Sequence, residues 1–193
     1  MINGENPDIV FIAGDLIDGP VFPYDRGLAP LGTIKSKMGI FYTAGNHDEY
    51  TVEQEKYYSV LEKHVTVLND KKVMVNDTQI VGIIYAEERR LKTEERLQKT
   101  GYDKNTPSIV MLHAPRNRMS LVSQGVTLSL SGHTHGGQFF PVTLLVRLFY
   151  GTRTKGVRYI GKTAHYTSVG VGTAGPLFRL GTSPEIAVIK ITE

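Results

Sequence analysis

Apolar positions along this chain fall into short runs that close at a glycine or a polar residue, and the repetition of that ending is the main pattern in the sequence. Residues 8–13 (DIVFIA) are apolar and β-branched, entered from Pro7 and closed by Gly14, as a buried strand reads. Residues 40–44 (IFYTA) repeat the pattern between Gly39 and Gly45. Residues 106–113 (TPSIVMLH) form a third run, with His113 in the closing position. Residues 126–130 (VTLSL) alternate, predicting a strand with one buried face, and lead into Ser131-Gly132-His133-Thr134-His135-Gly136-Gly137-Gln138. Between these runs, residues 25–37 predict a short helix interrupted at Pro30. Residues 50–63, with Val52, Tyr57, Val60 and Leu61 apolar, predict an amphipathic helix. Residues 65–68, 72–75 and 79–85 predict three strands separated by Asn69-Asp70 and Asn76-Asp77. Residues 86–100, rich in Glu, Arg, Lys and Leu, read as a solvated helix, and residues 184–191 alternate as a closing strand.

Composition narrows the chemistry. Zero cysteines exclude disulfides, thiolate nucleophiles and thiolate metal sites, so any metal must be held by oxygen and nitrogen. A length of 193 residues suits one substantial core, and a single domain over residues 1–193 is expected. The net charge of +3 tolerates an anionic substrate or lipid surface and is too diffuse to argue for specific nucleic-acid binding. No apolar run approaches the roughly 20 residues of a spanning helix, and the first seven residues lack the features of a signal peptide. The chain as given is therefore expected to be soluble, although the absence of cysteine suits the cytosol and a bacterial extracytoplasmic setting equally.

The strand ends carry the candidate chemistry. Gly14-Asp15-Leu16-Ile17-Asp18-Gly19 places two carboxylates three apart at the C-terminal end of a buried strand, where open α/β sheets put their sites; the other reading is an Asp-rich turn capped by Asp18. Gly45-Asn46-His47-Asp48 sets a carbonyl donor beside a histidine in a tight turn. His113 ends the third run. In the H-T-H segment, side chains that alternate faces with period two would put the imidazoles of His133 and His135 on one side of an extended backbone. His64 and His165 read as structural.

The ordered set Gly14-Asp15-x-x-Asp18, Gly45-Asn46-His47-Asp48, His113 and Gly132-His133-x-His135 resembles the calcineurin-like metallophosphoesterases. Gly136-Gly137-Gln138, with Pro141 and the later Gly172-Thr173-Ala174-Gly175-Pro176, is similar to a bacterial, often membrane-tethered subgroup. The resemblance implies an α/β fold, a four-layer α-β-β-α sandwich of two mixed sheets, and metal-dependent hydrolysis of a phosphomonoester or phosphodiester. It also implies two divalent ions, manganese, iron or zinc. Carried over residue by residue, it makes Asp15 a bridging ligand, Asn46, His113 and His133 ligands of one ion and His135 of the other, with His47 catalytic and Asp18 placed behind the ligands or holding the turn. It further implies a phosphoester substrate, lipid-linked ones included, with cytoplasmic placement or peripheral membrane contact. Residues 139–155, apolar and then basic, read as a core element with a surface loop or as an apolar lip for such a substrate.

One motif is missing. The family's D-x-H strand upstream of the Gly-Asp motif has no counterpart, since no histidine precedes Asp15 and D-x-H occurs nowhere in the chain. The expectation is an N-terminally incomplete domain that lacks its first strand; a one-metal variant and a strand borrowed from a partner are the other readings. The alternative function is a scaffold that keeps the fold without turnover.

Overall fold

The computed structural model describes residues 1–19, 22–85 and 92–192. Among the described residues, nine strands form two sheets. The first joins β1 (Val10–Ile12), β2 (Ile40–Tyr42) and β3 (Thr66–Val67), all parallel. The second has the order β4 (Lys71–Val75), β5 (Thr78–Ile83), β6 (Ser108–Leu112), β7 (Leu128–Ser131), β9 (Thr163–Thr167), β8 (Gly156–Ile160). It is mixed: β5, β6, β7 and β9 run parallel, while β4 and β8 are antiparallel to their neighbours.

Alternation inside the apolar runs produces the layers. In β1 and β2, Val10, Ile12, Ile40 and Tyr42 point into a core shared with α1 (Tyr24–Leu28) and α2 (Gln54–Leu61). Their neighbours Phe11 and Phe41 point the other way, into a core between the sheets that also takes Ile80, Ile109, Met111, Leu128 and Leu130. The opposite face of the second sheet sends Val81, Ile83, Val110 and Leu112 into a third core with Leu97 of α3 (Thr93–Lys99) and Leu121 of α4 (Arg118–Ser123). Three cores separate four layers, the α-β-β-α arrangement that the sequence led us to expect. A fifth helix, α5 (Val142–Tyr150), contributes no side chain to these three cores and buries none of its residues fully.

Local chemistry decides where sequence patterns convert into elements. Asn76-Asp77 closes a two-residue hairpin between β4 and β5, with Asn76 at φ 50°. Asn69-Asp70 does not: β3 pairs with β2, and the turn carries the chain from one sheet to the other. The helix expected over 25–37 is α1 followed by a 3-10 turn, Ala29–Thr33, that contains Pro30. Of the helix expected over 86–100, residues 86–91 lie outside the described residues. The closing strand expected over 184–191 does not form; its alternation is genuine, but no neighbouring strand supplies hydrogen bonds, and Val188 and Ile191 stay exposed. β1 has β2 on one side and no strand on the other among the described residues. No helix among the described residues is long and apolar enough to cross a membrane.

Candidate metal centre

Four strands that are parallel within their own sheets, β1, β2, β6 and β7, end at one edge of the sandwich, and the chain leaves each through a polar segment. After β1 it turns through Gly14 at φ 87° and Asp15 at φ 55°. This directs the Asp15 carboxylate at the loop after β2, where Oδ1 accepts the His47 N–H at 2.9 Å. The two loops touch backbone to backbone. A Cβ on Gly45 would stand 2.6 Å from Asp15 N and 2.7 Å from His113 Nδ1, so only glycine fits between them.

His113, buried at the end of β6, ties the sheets together. Its Nδ1 lies 2.7 Å from the Ala13 carbonyl, which can only accept, so Nδ1 carries a hydrogen. Its Nε2 lies 2.9 Å from Asp15 Oδ2 and 3.1 Å from His133 Nδ1. Burial disfavours a charged His113, but the hydrogen bond and charge of Asp15 outweigh it and raise its pKa. Asp15 mirrors this: burial would raise its carboxyl, and His113 with the His47 N–H holds it below the ordinary value. Burial, and then the charge on His113, push His133 down to about 4, so the ring is neutral near pH 7 and one of its nitrogens offers a lone pair. A proton on His113 Nε2 would be shared between the Asp15 Oδ2 and His133 Nδ1 acceptors, so three polar atoms converge from both sheets.

Asp15, His113 and His133 form a group able to hold a metal ion, with one ligand atom from each lying within 4.8 Å of the others. Asn46 strengthens the fit. Its Oδ1 is buried without a hydrogen-bond partner, although the residues on either side of it, Gly45 and His47, pack against Asp15. An orphaned buried carbonyl costs about 1–3 kcal/mol unless a ligand takes its lone pairs. One carboxylate, one amide oxygen and two imidazoles suit a divalent ion such as manganese, iron or zinc. Tyr85 packs on both His113 and His133, with ring centroids 5.7 and 5.8 Å away, and Tyr150 of α5 lies 6.2 Å from the His133 ring.

His135 stands outside this group. Its Nδ1 lies 3.5 Å from Arg179 Nη2, and burial followed by the Arg179 charge lowers its pKa. The H-x-H pair is not extended. β7 ends at Ser131, and His133 and His135 adopt φ 69° and 49° around a right-handed Thr134, so strand periodicity does not govern where they point. A left-handed backbone is uncommon for histidine, and Asp15 shares it. Three of the five expected ligands therefore sit in a backbone region that most residues avoid. His47, whose Nδ1 is 2.9 Å from Asp18 Oδ1, has its ring fixed from one edge.

Two residues here escaped the sequence reading. Asp48, within the Gly-Asn-His-Asp motif but given no role, is fully buried. Its Oδ2 accepts the N–H groups of Asp15 at 2.7 Å and Gly45 at 2.8 Å. Its Oδ1 accepts from Leu16 N–H, Ile17 N–H and the Tyr57 hydroxyl. Because the Tyr57 proton goes to Asp48, Tyr42 donates to Tyr57, at 2.9 Å. Burial pushes the Asp48 carboxyl up, and these donors oppose it. Its place as the closing residue of the Gly45-Asn46-His47-Asp48 motif was the available signal. Arg179, which donates to the carbonyls of His135, Val169 and Gly172, had none.

Comparison with known proteins agrees with this geometry. Residues 1–137 match the family model described as calcineurin-like phosphoesterase. The whole chain is 30% identical to a transmembrane protein with metallophosphoesterase domain from Danio rerio, covering 48% of that protein. An uncharacterized metallophosphoesterase from Helicobacter pylori strain J99 is 32% identical over 98% of the chain and 52% of its own length. One from Aquifex aeolicus is 29% identical over 97% of the chain and 74% of its own length. The chain thus spans about half the length of the first two of these relatives.

Proposed function

The chain belongs to the calcineurin-like phosphoesterase family, and on that premise we propose that it hydrolyses a phosphomonoester or phosphodiester, free or lipid-linked, with water as the nucleophile. The observation that carries the reading is the convergence of Asp15, His113 and His133 beside the unpartnered Asn46 Oδ1. Asp15, Asn46, His113 and His133 would hold one divalent ion, and Asp15 with His135 a second. Divalent ions so held supply Lewis acidity toward a phosphoryl oxygen and lower the pKa of water.

The chain's own residues prepare that chemistry. The Ala13 carbonyl fixes the His113 tautomer so that Nε2 faces the ligand position. Asp18 grips Nδ1 of His47 and leaves Nε2, on the far edge of the ring, to meet the substrate. There His47 donates a proton to the leaving-group oxygen or a hydrogen bond to the phosphoryl group. Asp48 holds the Asp15 and Gly45 loops at the spacing that this requires.

The test is metal stoichiometry after manganese loading, measured alongside turnover of a chromogenic phosphodiester. Bound manganese and turnover are expected, both reduced at least about 100-fold by Asn46→Ala, the upper end of the cost of disturbing a metal site's close partners. Turnover untouched by Asn46→Ala and His47→Ala would sink the reading. A scaffold without turnover is the second reading, favoured by the position of His135 against Arg179 and outside the ligand group. Manganese binding without turnover would select it.

A further inference from the structure

Helix α5 turns the wrong face outward. Val142, Thr143, Val146 and Tyr150 are half-buried against the body, while Leu144, Leu145, Leu148 and Phe149 share the outer side, with Leu148 78% and Phe149 75% exposed. A surface helix ordinarily presents polar residues there. Beside it lies a second apolar projection, the loop containing Leu177, Phe178 and Leu180. Phe178 packs on Phe139, with centroids 5.4 Å apart, and the Phe140 N–H donates to the Leu180 carbonyl at 3.1 Å. Leu177 is 92% exposed and Phe140 61%. Such contiguous apolar surface, on separate segments tied together, marks an interaction face.

Charge identifies the occupant. Nine Lys or Arg residues and no Asp or Glu occur between Lys104 and Pro184, whereas the remainder of the chain carries all 19 acidic residues against 13 basic ones. Arg147 on α5 and Arg153 and Lys155 in the turn after it are all exposed beside the apolar face. An apolar helix face rimmed by cations, with no carboxylate among them, fits a lipid surface bearing negative charge.

We propose that α5 and the 177–180 loop seat the protein on an anionic lipid bilayer, with Leu144, Leu145, Leu148 and Phe149 in the interface and Arg147, Arg153 and Lys155 among the headgroups. Tyr150, the last residue of α5, lies against His133, so this seating brings the metal centre to headgroup height. It deepens the phosphoesterase reading by directing the site toward phosphoesters of membrane lipids, and in that respect rests on it.

Cosedimentation of the 193-residue chain with vesicles tests the seating without any need for turnover. The chain is expected to bind phosphatidylcholine vesicles containing phosphatidylglycerol and not pure phosphatidylcholine. Leu148→Glu with Phe149→Glu should weaken binding at least about ten-fold. Arg153→Gln and Lys155→Gln should each weaken it about five-fold. All four positions are exposed, and an unchanged melting temperature checks that the variants fold. Absence of binding to anionic vesicles, equal binding to neutral ones or indifference to these variants overturns the proposal. So does a dimer that Leu148→Glu dissolves in a chain that ignores vesicles, since the occupant is then a second copy. Turnover of a soluble phosphodiester should survive Leu148→Glu. If the unaltered chain lacks that turnover yet binds anionic vesicles, the phosphoesterase reading fails and the seating stands.

Discussion

Asp15 and His135 both follow the end of a strand and both adopt a left-handed backbone, at φ 55° and 49°, yet they are held by different means. Around Asp15, the backbone N–H goes to Asp48, the carboxylate receives the His47 N–H and faces the His113 ring, and the Asp48 brace continues through Tyr57 and Tyr42 into a hydrophobic core. His135 has no such root. Its carbonyl and ring meet Arg179, a residue anchored on the Val169 and Gly172 carbonyls in a segment with little regular structure. The difference shows where preorganisation comes from: a proposed ligand wired to the core is fixed before any metal arrives, and a proposed ligand wired to loops depends on the loops.

Removing the brace should break this contrast most severely. Asp48→Ala strands four backbone N–H groups, two buried and two part-buried, and a buried tyrosine hydroxyl, a buried group costing about 1–3 kcal/mol when unsatisfied, with values that do not simply add. A loss of about 4 kcal/mol or more in urea unfolding is expected, together with loss of metal binding at the Asp15 group. A loss under about 1 kcal/mol would mean that the core does not organise Asp15.

Next in size is Gly45→Ala, whose Cβ has no room between the two loops. Overpacking of this kind costs about 1–3 kcal/mol. Gly132→Ala, just before His133, meets nothing nearer than the Ala13 carbonyl at 3.8 Å and should stay within about 0.5 kcal/mol. Equal costs at the two positions would erase the distinction between a tight and a roomy side of the centre.

The histidines sharpen the comparison through pH. His133 and His135 titrate below 6.5 in the fold, so the unfolded chain binds more protons between about 4 and 6.5 and stability rises with pH across that window. His113 is shifted the other way. Its contribution is complete below 6.5 and is lost as pH rises through its raised folded value. In chelator, the melting temperature should therefore peak near 6.5 and fall beyond it. Manganese should remove the fall, because an ion takes the place of the shared proton. A metal-free melting temperature that keeps climbing above 6.5 would show that the Asp15–His113 pair is not the one described.

How much of this was legible in sequence follows from the range of the interactions. β1, β2, β6 and β7 were readable because each is a local apolar run with a hard stop; which of the three cores each side chain enters was not, because three of the runs are apolar at successive positions. Asp15, Asn46, His113 and His133 were readable as strand-end residues in a known order. β8 was missed because it is an edge strand with exposed Val157, Arg158 and Tyr159, and α4 because six residues carry too little periodicity. Residues 184–191 show the converse: alternation reports a preference for extended structure and says nothing of whether a partner strand is present. The geometry of the H-x-H pair was unreadable because left-handed residues break the period-two rule. Asp48 and Arg179 act on segments 33 and 44 residues away, distances over which no local pattern operates.

The smallest expected effect is also the most discriminating. Arg179 is half-exposed, so Arg179→Ala should lower unfolding stability by about 1 kcal/mol or less despite the several carbonyls it serves. What it should move is His135. With the guanidinium gone, the largest of the charge effects that depress that imidazole disappears, and its titration, followed by NMR, should shift upward toward the ordinary histidine value. His133, depressed by burial and by His113, should stay near 4. Binding of a second manganese equivalent should tighten by a few-fold as a positive charge leaves its surroundings, while the first equivalent is unaffected. If Arg179→Ala instead costs as much stability as Asp48→Ala, or shifts both histidines together, His135 belongs to the same rigid unit as Asp15. The apparent asymmetry between the two ligands would then be one of contacts and not of mechanics.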